Sequence, residues 1–458
     1  MKLREDFEWG VATSAYQIEG AYNENGKGRS IWDAYSNVKG NICSDHNGNI
    51  ACDHYHKFKE DVALMKQMGI KAYRFSIAWT RIIPDGIGQL NKDGIRFYNE
   101  LIDELLKNEI EPYITLYHWD LPLELHYKGD WLNREIADWF AEYAKVVVVN
   151  FSDRVKKFIT INEPQCIIGH GYGTGINAPG LKLSKEEMIV ASHNLMLAHG
   201  KAVIAMRKYG ANDIEIGFAP TGSGAYPHTE TENDINAAKE KFFEVEENSW
   251  DWSISWFSDP IFSGKYPEDG LKVLGKYLPK SWKSDLEIIH QCLDFLCINL
   301  YNGKEYEKTE NGIKVVERYE GFPRTAMNWP VTPEALNWSL KFLYERYNLP
   351  IYVSENGISC CDVISLDGKV HDSNRIDFIN RYLLELKKAI KAGVDIRGYF
   401  YWSFMDNFEW GYGYKERFGL VYVDYRTQKR IIKDSGYWYK EVIKNKGENL
   451  FDRKKANL

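Results

Sequence analysis

Two carboxylates stand where β-type runs give out. Lys157-Phe158-Ile159-Thr160-Ile161-Asn162 is rich in Phe, Ile and Thr and stops on Glu163-Pro164. That composition predicts a buried strand, and Pro164, with no N–H for a ladder, ends it. Pro350-Ile351-Tyr352-Val353-Ser354 stops in the same way on Glu355-Asn356-Gly357. A single acidic residue at a strand end often does no more than solvate it. Two that converge are the minimum set for cleaving a glycosidic bond, one protonated to assist the leaving oxygen, the other ionised to attack the anomeric carbon or activate water. Their surroundings must then hold their pKa values apart.

Other residues suit the same chemistry. Asn162 precedes Glu163 and is placed to grip a sugar 2-hydroxyl, a contact that strengthens in an oxocarbenium-like transition state. Arg74 and Tyr301 are candidates to hold an attacking carboxylate ionised through charge-assisted hydrogen bonds. Their plainer uses are a surface ion pair and a core ring. Gln17, His118-Trp119 and Glu409-Trp410 set planar hydrogen-bonding groups beside indoles, as a pocket for a polyhydroxylated ring requires. Cys43, His46, Cys52, His54 and His56 lie close together but match no regular ligand spacing, so no metal is expected. The adjacent Cys360-Cys361 pair reads as loop thiols.

Positioning these groups takes a repeated frame. Strand-like runs recur at 7–13, 72–79, 113–117, 157–162, 214–220, 294–301, 350–357 and 398–403. Helical spacing or helix-rich sequence fills 53–69, 93–107, 134–150, 184–209, 233–257, 332–347, 374–392 and 435–443. Strand and helix alternate with no linker, which predicts an α/β fold, a (β/α)8 TIM barrel forming a single catalytic domain over 1–458. An open doubly wound sheet is the alternative, but no Gly-x-Gly-x-x-Gly turn follows the first strand. Polar and aromatic residues gather at the ends of nearly all the strands, as one active face of a barrel demands. On that face Glu163 and Glu355 meet although 192 positions (355 − 163) separate them.

Composition narrows the partners. Against 65 acidic residues stand 58 basic ones, a formal charge of −7, so neither nucleic acid nor anionic membrane is an expected partner. The 15 Trp and 30 Tyr instead suit sugar faces. Seven scattered cysteines, an odd number, point to reduced thiols in a cytosol. Met1-Lys2-Leu3-Arg4 leads into no apolar segment of a signal peptide, and no uncharged apolar stretch is long enough to span a bilayer. A soluble cytoplasmic protein is therefore expected. The pattern carries no signal for oligomeric state.

Together the motifs resemble family 1 of the glycoside hydrolases, the β-glucosidase and β-galactosidase group, over nearly the whole chain. The likeness rests on Phe7-Glu8-Trp9-Gly10 through Gln17-Ile18-Glu19-Gly20, Tyr73-Arg74-Phe75-Ser76-Ile77-Ala78-Trp79, His118-Trp119-Asp120-Leu121-Pro122, Asn162-Glu163-Pro164, Glu355-Asn356-Gly357, and Trp402 through Asp406-Asn407-Phe408-Glu409-Trp410. The resemblance implies a retaining double displacement without metal or organic cofactor, with Glu163 as acid/base and Glu355 as nucleophile. It implies that Gln17, His118, Asn162, Glu409 and Trp410 hold the non-reducing sugar over a Trp402 platform. Arg74, Asn299 and Tyr301 match positions that support the nucleophile, and Trp329 matches the leaving-group platform.

Three positions depart from the family pattern: Leu300 for Tyr, Asn328 for Gly before Trp329, and Asn177 for His before Ala178-Pro179-Gly180. All are expected at the rim, where they bear on leaving-group preference. The branch that cleaves 6-phosphoglycosides has Ser in place of Glu409 and a Lys-x-Tyr grip where this chain reads Glu416-Arg417-Phe418. A carboxylate there repels a phosphate dianion, so unphosphorylated β-glycosides are the expected substrates. The sequence leaves glucose, galactose and fucose open. Two rivals remain, a carbohydrate-binding barrel without catalysis and a metal-dependent barrel hydrolase. The second needs His-x-His at the end of strand one, where Gln17 stands.

Overall fold

The computed structural model describes residues 2–452. The ends of the expected domain, Met1 and Leu458, lie outside the described residues. Eight parallel strands close into a barrel: β1 Glu8–Ala12, β2 Ala72–Ser76, β3 Glu111–Tyr117, β4 Lys157–Asn162, β5 Glu215–Ala219, β6 Phe295–Asn299, β7 Ile351–Asn356 and β8 Ile396–Trp402. The sheet is sealed by its two extremes, Glu8 to Ala12 of β1 lying opposite Gly398 to Trp402 of β8. The strands are buried on both faces, which is why they read as nearly continuous apolar runs.

Inside the barrel Tyr113, Ile159, Phe295, Tyr352 and Phe400 pack on one another, filling it as a core rather than a pore. The fit is tight enough that Gly217 has no room for a side chain: a Cβ there would lie 2.2 Å from the Phe295 ring. Outside run α1 His54–Gln67, α2 Lys92–Lys107, α3 Ile136–Phe151, α4 Lys185–Tyr209, α5 Trp282–Ile289, α6 Glu334–Tyr347, α7 Ser373–Lys391 and α8 Asp434–Lys444. Helix α2 buries Phe97, Tyr98, Leu101, Ile102 and Leu105 on one face, and α4 starts on a Ser184/Glu187 capping box. Among the described residues no helix is long and apolar enough to cross a membrane.

One expectation needs correction. The run 72–79 leaves the sheet at Ser76, and Trp79–Ile82 is a helical turn. There Arg81 bends back to donate to the Glu19 carboxylate at 2.6 Å and the Gly20 carbonyl at 2.7 Å. The stretch 233–257 is two helices, Glu232–Phe243 and Ile254–Ser263, separated by irregular chain and a short 3-10 turn at Trp250–Trp252. Small strands outside the barrel, at Gly224–Pro227, Gly303–Thr309, Gly312–Val315, Val421–Asp424 and Lys429–Ile432, carried no alternation that set them apart from loops.

Candidate active site

The site is built on strand ends. β4 stops at Asn162, and Glu163 turns left-handed with φ 48° and ψ 70°, a conformation costly for a side chain with a Cβ. Two neighbours hold it there: the Glu163 N–H donates to the Ala219 carbonyl at 2.7 Å, and Pro164 opens a one-turn helix through Cys166. Glu355 lies on β7 directly across from Asn299 on β6.

A continuous set of hydrogen bonds joins the two carboxylates. Asn299 Nδ2 donates to Glu163 Oε1 at 2.8 Å and to Asn162 Oδ1 at 2.9 Å. Arg74 donates to Asn162 Oδ1 at 2.5 Å, to Glu355 Oε1 at 2.6 Å and, through Nε, to Thr115 Oγ1 at 3.1 Å. Tyr301 donates its hydroxyl to Glu355 Oε2 at 2.8 Å. Ser354 Oγ donates to Asn299 Oδ1 at 2.6 Å, which fixes that amide's orientation. All of Arg74, Asn162, Glu163, Asn299 and Glu355 are buried.

The charge is unevenly shared. Among the described residues, the ion pair of this group joins Arg74 to Glu355, and Glu163 has none. Burial first, and the Glu355 charge second, push the Glu163 carboxyl up to about 7, against the hydrogen bonds from Asn299 and Cys166. Burial also raises Glu355, opposed by the Arg74 charge and the hydrogen bonds from Tyr301 and Arg74. Glu409 is pushed up to about 8 by burial and by the charges of Glu355, Glu416 and Glu163. Burial and Arg74 hold His118 well below the ordinary imidazole range. It is therefore neutral, and its Nε2 accepts from Asn162 Nδ2 at 3.1 Å.

These groups face a cavity of about 860 Å³ whose inner end is lined by Glu163, Glu355, His118, Trp402, Glu409 and Trp410. The rings form a wall: His118 stacks on Trp402 with centroids 5.8 Å apart and on Trp410 at 6.0 Å. Trp119 lies 4.6 Å from Trp410 and also lines the cavity. Its indole N–H is engaged by the Asn162 carbonyl at 3.1 Å. Trp329 flanks the mouth, 5.4 Å from Tyr301.

Two expected sugar contacts stand behind this wall. Gln17 has no exposed surface. Its amide donates to Asn407 at 3.0 Å, the Phe408 carbonyl at 2.9 Å and Glu409 at 3.5 Å, while its oxygen accepts from Ser14 at 2.6 Å. It thus holds the Glu409 loop. Asn162 is likewise committed to Arg74, Asn299 and His118. Of the departures, Asn177 lines the cavity, and Leu300 is buried with its N–H on the Glu355 carbonyl at 3.0 Å. Asn328 has φ 63°, a left-handed conformation that Asn tolerates nearly as Gly does. His54 pairs with Asp61, His56 with Asp53, and His46 accepts from the Tyr414 N–H, so the early Cys/His group serves separate local bonds.

Sequence reasoning missed Thr115, Cys166 and Asn407. Thr115 had a signal, a single small polar side chain inside Tyr113-Ile114-Thr115-Leu116-Tyr117. Asn407 and Cys166 had none beyond their nearness to Glu409 and Glu163.

A closed barrel with paired carboxylates over an aromatic floor defines a glycoside hydrolase, and the comparisons agree. Residues 1–448 match the profile of glycosyl hydrolase family 1; the chain belongs to that family. It is similar to a 1,4-beta-D-glucan glucohydrolase of Thermotoga neapolitana, 47% identical over 97% of this chain and 99% of that one. It is similar to beta-glucosidase A of Acetivibrio thermocellus, 46% identical over 96% and 98% of the two chains. The solved family 1 β-glucosidase from Thermotoga maritima superposes with a TM-score of 0.89 at 46% identity, over 97% and 99% of the chains, and has also been solved in complex with glucoimidazole.

Proposed function

We propose that this chain is a β-glucosidase that releases terminal non-reducing β-D-glucosyl residues with retention. Glu355 attacks the anomeric carbon while Glu163 gives its proton to the glycosidic oxygen. Glu163 then takes a proton from water, which attacks the same carbon and frees the sugar and Glu355. The observation that carries the assignment is the placement of Arg74, which among the described residues pairs with Glu355 at 2.6 Å and not with Glu163. The pair therefore keeps Glu355 ionised and leaves the proton on Glu163. A retaining pair works at a carboxyl separation of about 5 to 5.5 Å.

The remaining roles follow from placement. Glu409, Trp410 and His118 meet the sugar hydroxyls, Trp402 takes the ring face, and Trp329 takes the leaving group. Gln17, Asn162, Asn299 and Tyr301 orient those groups. A β-D-galactosyl residue differs in the direction of its 4-hydroxyl alone and a β-D-fucosyl residue also lacks the 6-hydroxyl, so both fit the same set. Glu409 lines the cavity at the position where the 6-phosphoglycoside-cleaving branch carries Ser, so no serine hydroxyl is there to donate to a 6-phosphate. Arg417, a cation close by in sequence, is already held by Asp406 at 2.5 Å. Short β-linked glucosides such as cellobiose are the natural size for the cavity. A cytoplasmic setting is supported by seven free cysteines, and a single catalytic domain by the pairing of β1 with β8.

Hydrolysis of a chromogenic β-glucoside, with the first product followed by NMR, tests the reading. A β-anomer released first supports it, and an α-anomer overturns it. Higher kcat/KM on a 6-phosphoglucoside than on the plain glucoside overturns the substrate assignment.

A further inference from the structure

The same cavity is also lined by a further indole, Trp252. Trp252 is 37% exposed, unlike the indoles of the inner end, and it sits on the short 3-10 turn at Trp250–Trp252. Three features hold it there. The His170 ring meets it edge to face, with centroids 4.8 Å apart at 64°. Gln165, two residues beyond Glu163, ties the turn to the barrel: its Nε2 donates to the Ser253 carbonyl at 3.3 Å and its Oε1 accepts from the Thr221 N–H at 3.2 Å. Gly169 supplies the clearance, since a Cβ there would lie 2.7 Å from Asp251 Oδ2 and 3.4 Å from the Trp252 indole nitrogen.

Gly169 and His170 belong to a π-helical stretch, Ile167–Thr174, a conformation that is rare and recurs at functional sites. An indole open on one side, braced on the other and lining the cavity that holds the two carboxylates is the arrangement that binds a sugar face. Burial lowers the His170 pKa, so the bracing ring is neutral and adds no charge to the platform.

We propose that Trp252, braced by His170 and admitted by Gly169, forms an outer subsite for the second sugar ring of a β-linked leaving group. The inference rests on the glucosidase reading above and adds to it a preference for chain length. Trp329 serves the ring beside the cleaved bond. Trp252 serves the next one, and a disaccharide substrate does not reach it.

The test is the ratio of kcat/KM on cellotriose to kcat/KM on cellobiose. In Trp252→Ala the ratio falls about tenfold, the size of one lost stacking contact, chiefly through KM, and Trp252→Tyr restores most of it. Gly169→Ala, which crowds the turn from the opposite side, lowers the ratio in the same direction. Thermal unfolding of each variant guards against a general loss of structure. A ratio within about twofold of the parent in Trp252→Ala, while both sugars are still cleaved, overturns the outer subsite alone. A parent enzyme that cleaves neither cellobiose nor an aryl β-glucoside overturns both readings.

Discussion

After β7 and β8, Asp362, Asp372 and Asp406 meet Arg375 of α7, Arg417 and Lys433. Arg375 pairs with Asp372 and, at 2.7 Å, with Asp362; Lys433 pairs with Asp362 at 2.5 Å and Asp406 at 2.7 Å; Arg417 pairs with Asp406 at 2.5 Å. Burial pushes Asp362 up, and Lys433 and Arg375 more than reverse it. At the barrel mouth Glu163, Glu355 and Glu409 have, among the described residues, the Arg74–Glu355 ion pair alone, and their carboxyls are raised. Both clusters are buried carboxylates among hydrogen bonds. Cation count separates them: balanced charge makes a fixed brace, while a shortage leaves Glu163 and Glu409 able to carry protons near neutral pH.

The largest effect expected of this contrast is on turnover. Glu355→Ala should lower kcat/KM roughly 10⁴-fold or more, with a small anion such as azide or formate restoring part of it, and without loss of thermal stability. A substantial drop in Tm would show that Glu355 is a brace too. In the balanced cluster the outcome reverses. Lys433→Met leaves Asp362 and Asp406 short of a partner, and chemical denaturation should show about 3–5 kcal/mol less stability.

Glu163→Gln separates the two roles within one residue. The folded protein raises this carboxyl from 4.5 to about 7, so the folded chain binds the proton more tightly than the unfolded one. Its stability therefore falls as pH climbs through that window, and the cost is complete above it. Removing the acid should stabilise the fold by on the order of 3 kcal/mol above pH 7 and by nothing near pH 4. Equal unfolding free energies for parent and variant at pH 8 would contradict the raised value. Turnover of poor leaving groups should suffer far more than that of good ones. The same group should set the alkaline limb of kcat/KM, with activity declining above about pH 7.

The smallest effect concerns tuning. Tyr301→Phe removes one hydrogen bond to an ionised carboxylate, about 1.5–3 kcal/mol. The acidic limb of the pH profile should move upward as Glu355 becomes harder to ionise. An unmoved limb would assign that limb to a group other than Glu355.

The barrel and the carboxylate pair were legible because parallel strands buried on both faces read as apolar runs, and the run stops on the working residue. Glu163-Pro164 and Glu355-Asn356-Gly357 carry that signal in order. What stayed hidden depends on contacts distant in sequence. Nothing near Gln17 announces that its amide turns toward Phe408 and Glu409, 391 and 392 positions away. Nothing in Gly169-His170 announces a π-helical stretch. The strand ends at Ser76, and beyond it Arg81 reaches Glu19, 62 positions away, a contact that residue propensity does not encode. Asn328 shows the opposite case, an unusual residue whose left-handed backbone makes it a ready replacement for glycine.

The seal between β1 and β8 has a consequence in time as well as in space. Residues 8–12 find their partners at 398–402, so during synthesis β1 waits, one edge unsatisfied, until some 390 further residues (398 − 8) have been made. Chain closure over such a span slows assembly and leaves a sticky strand exposed meanwhile. Truncation before β8 should therefore yield aggregating protein rather than a smaller stable barrel, and rearranging the termini so that β8 and β1 are made consecutively should raise soluble yield.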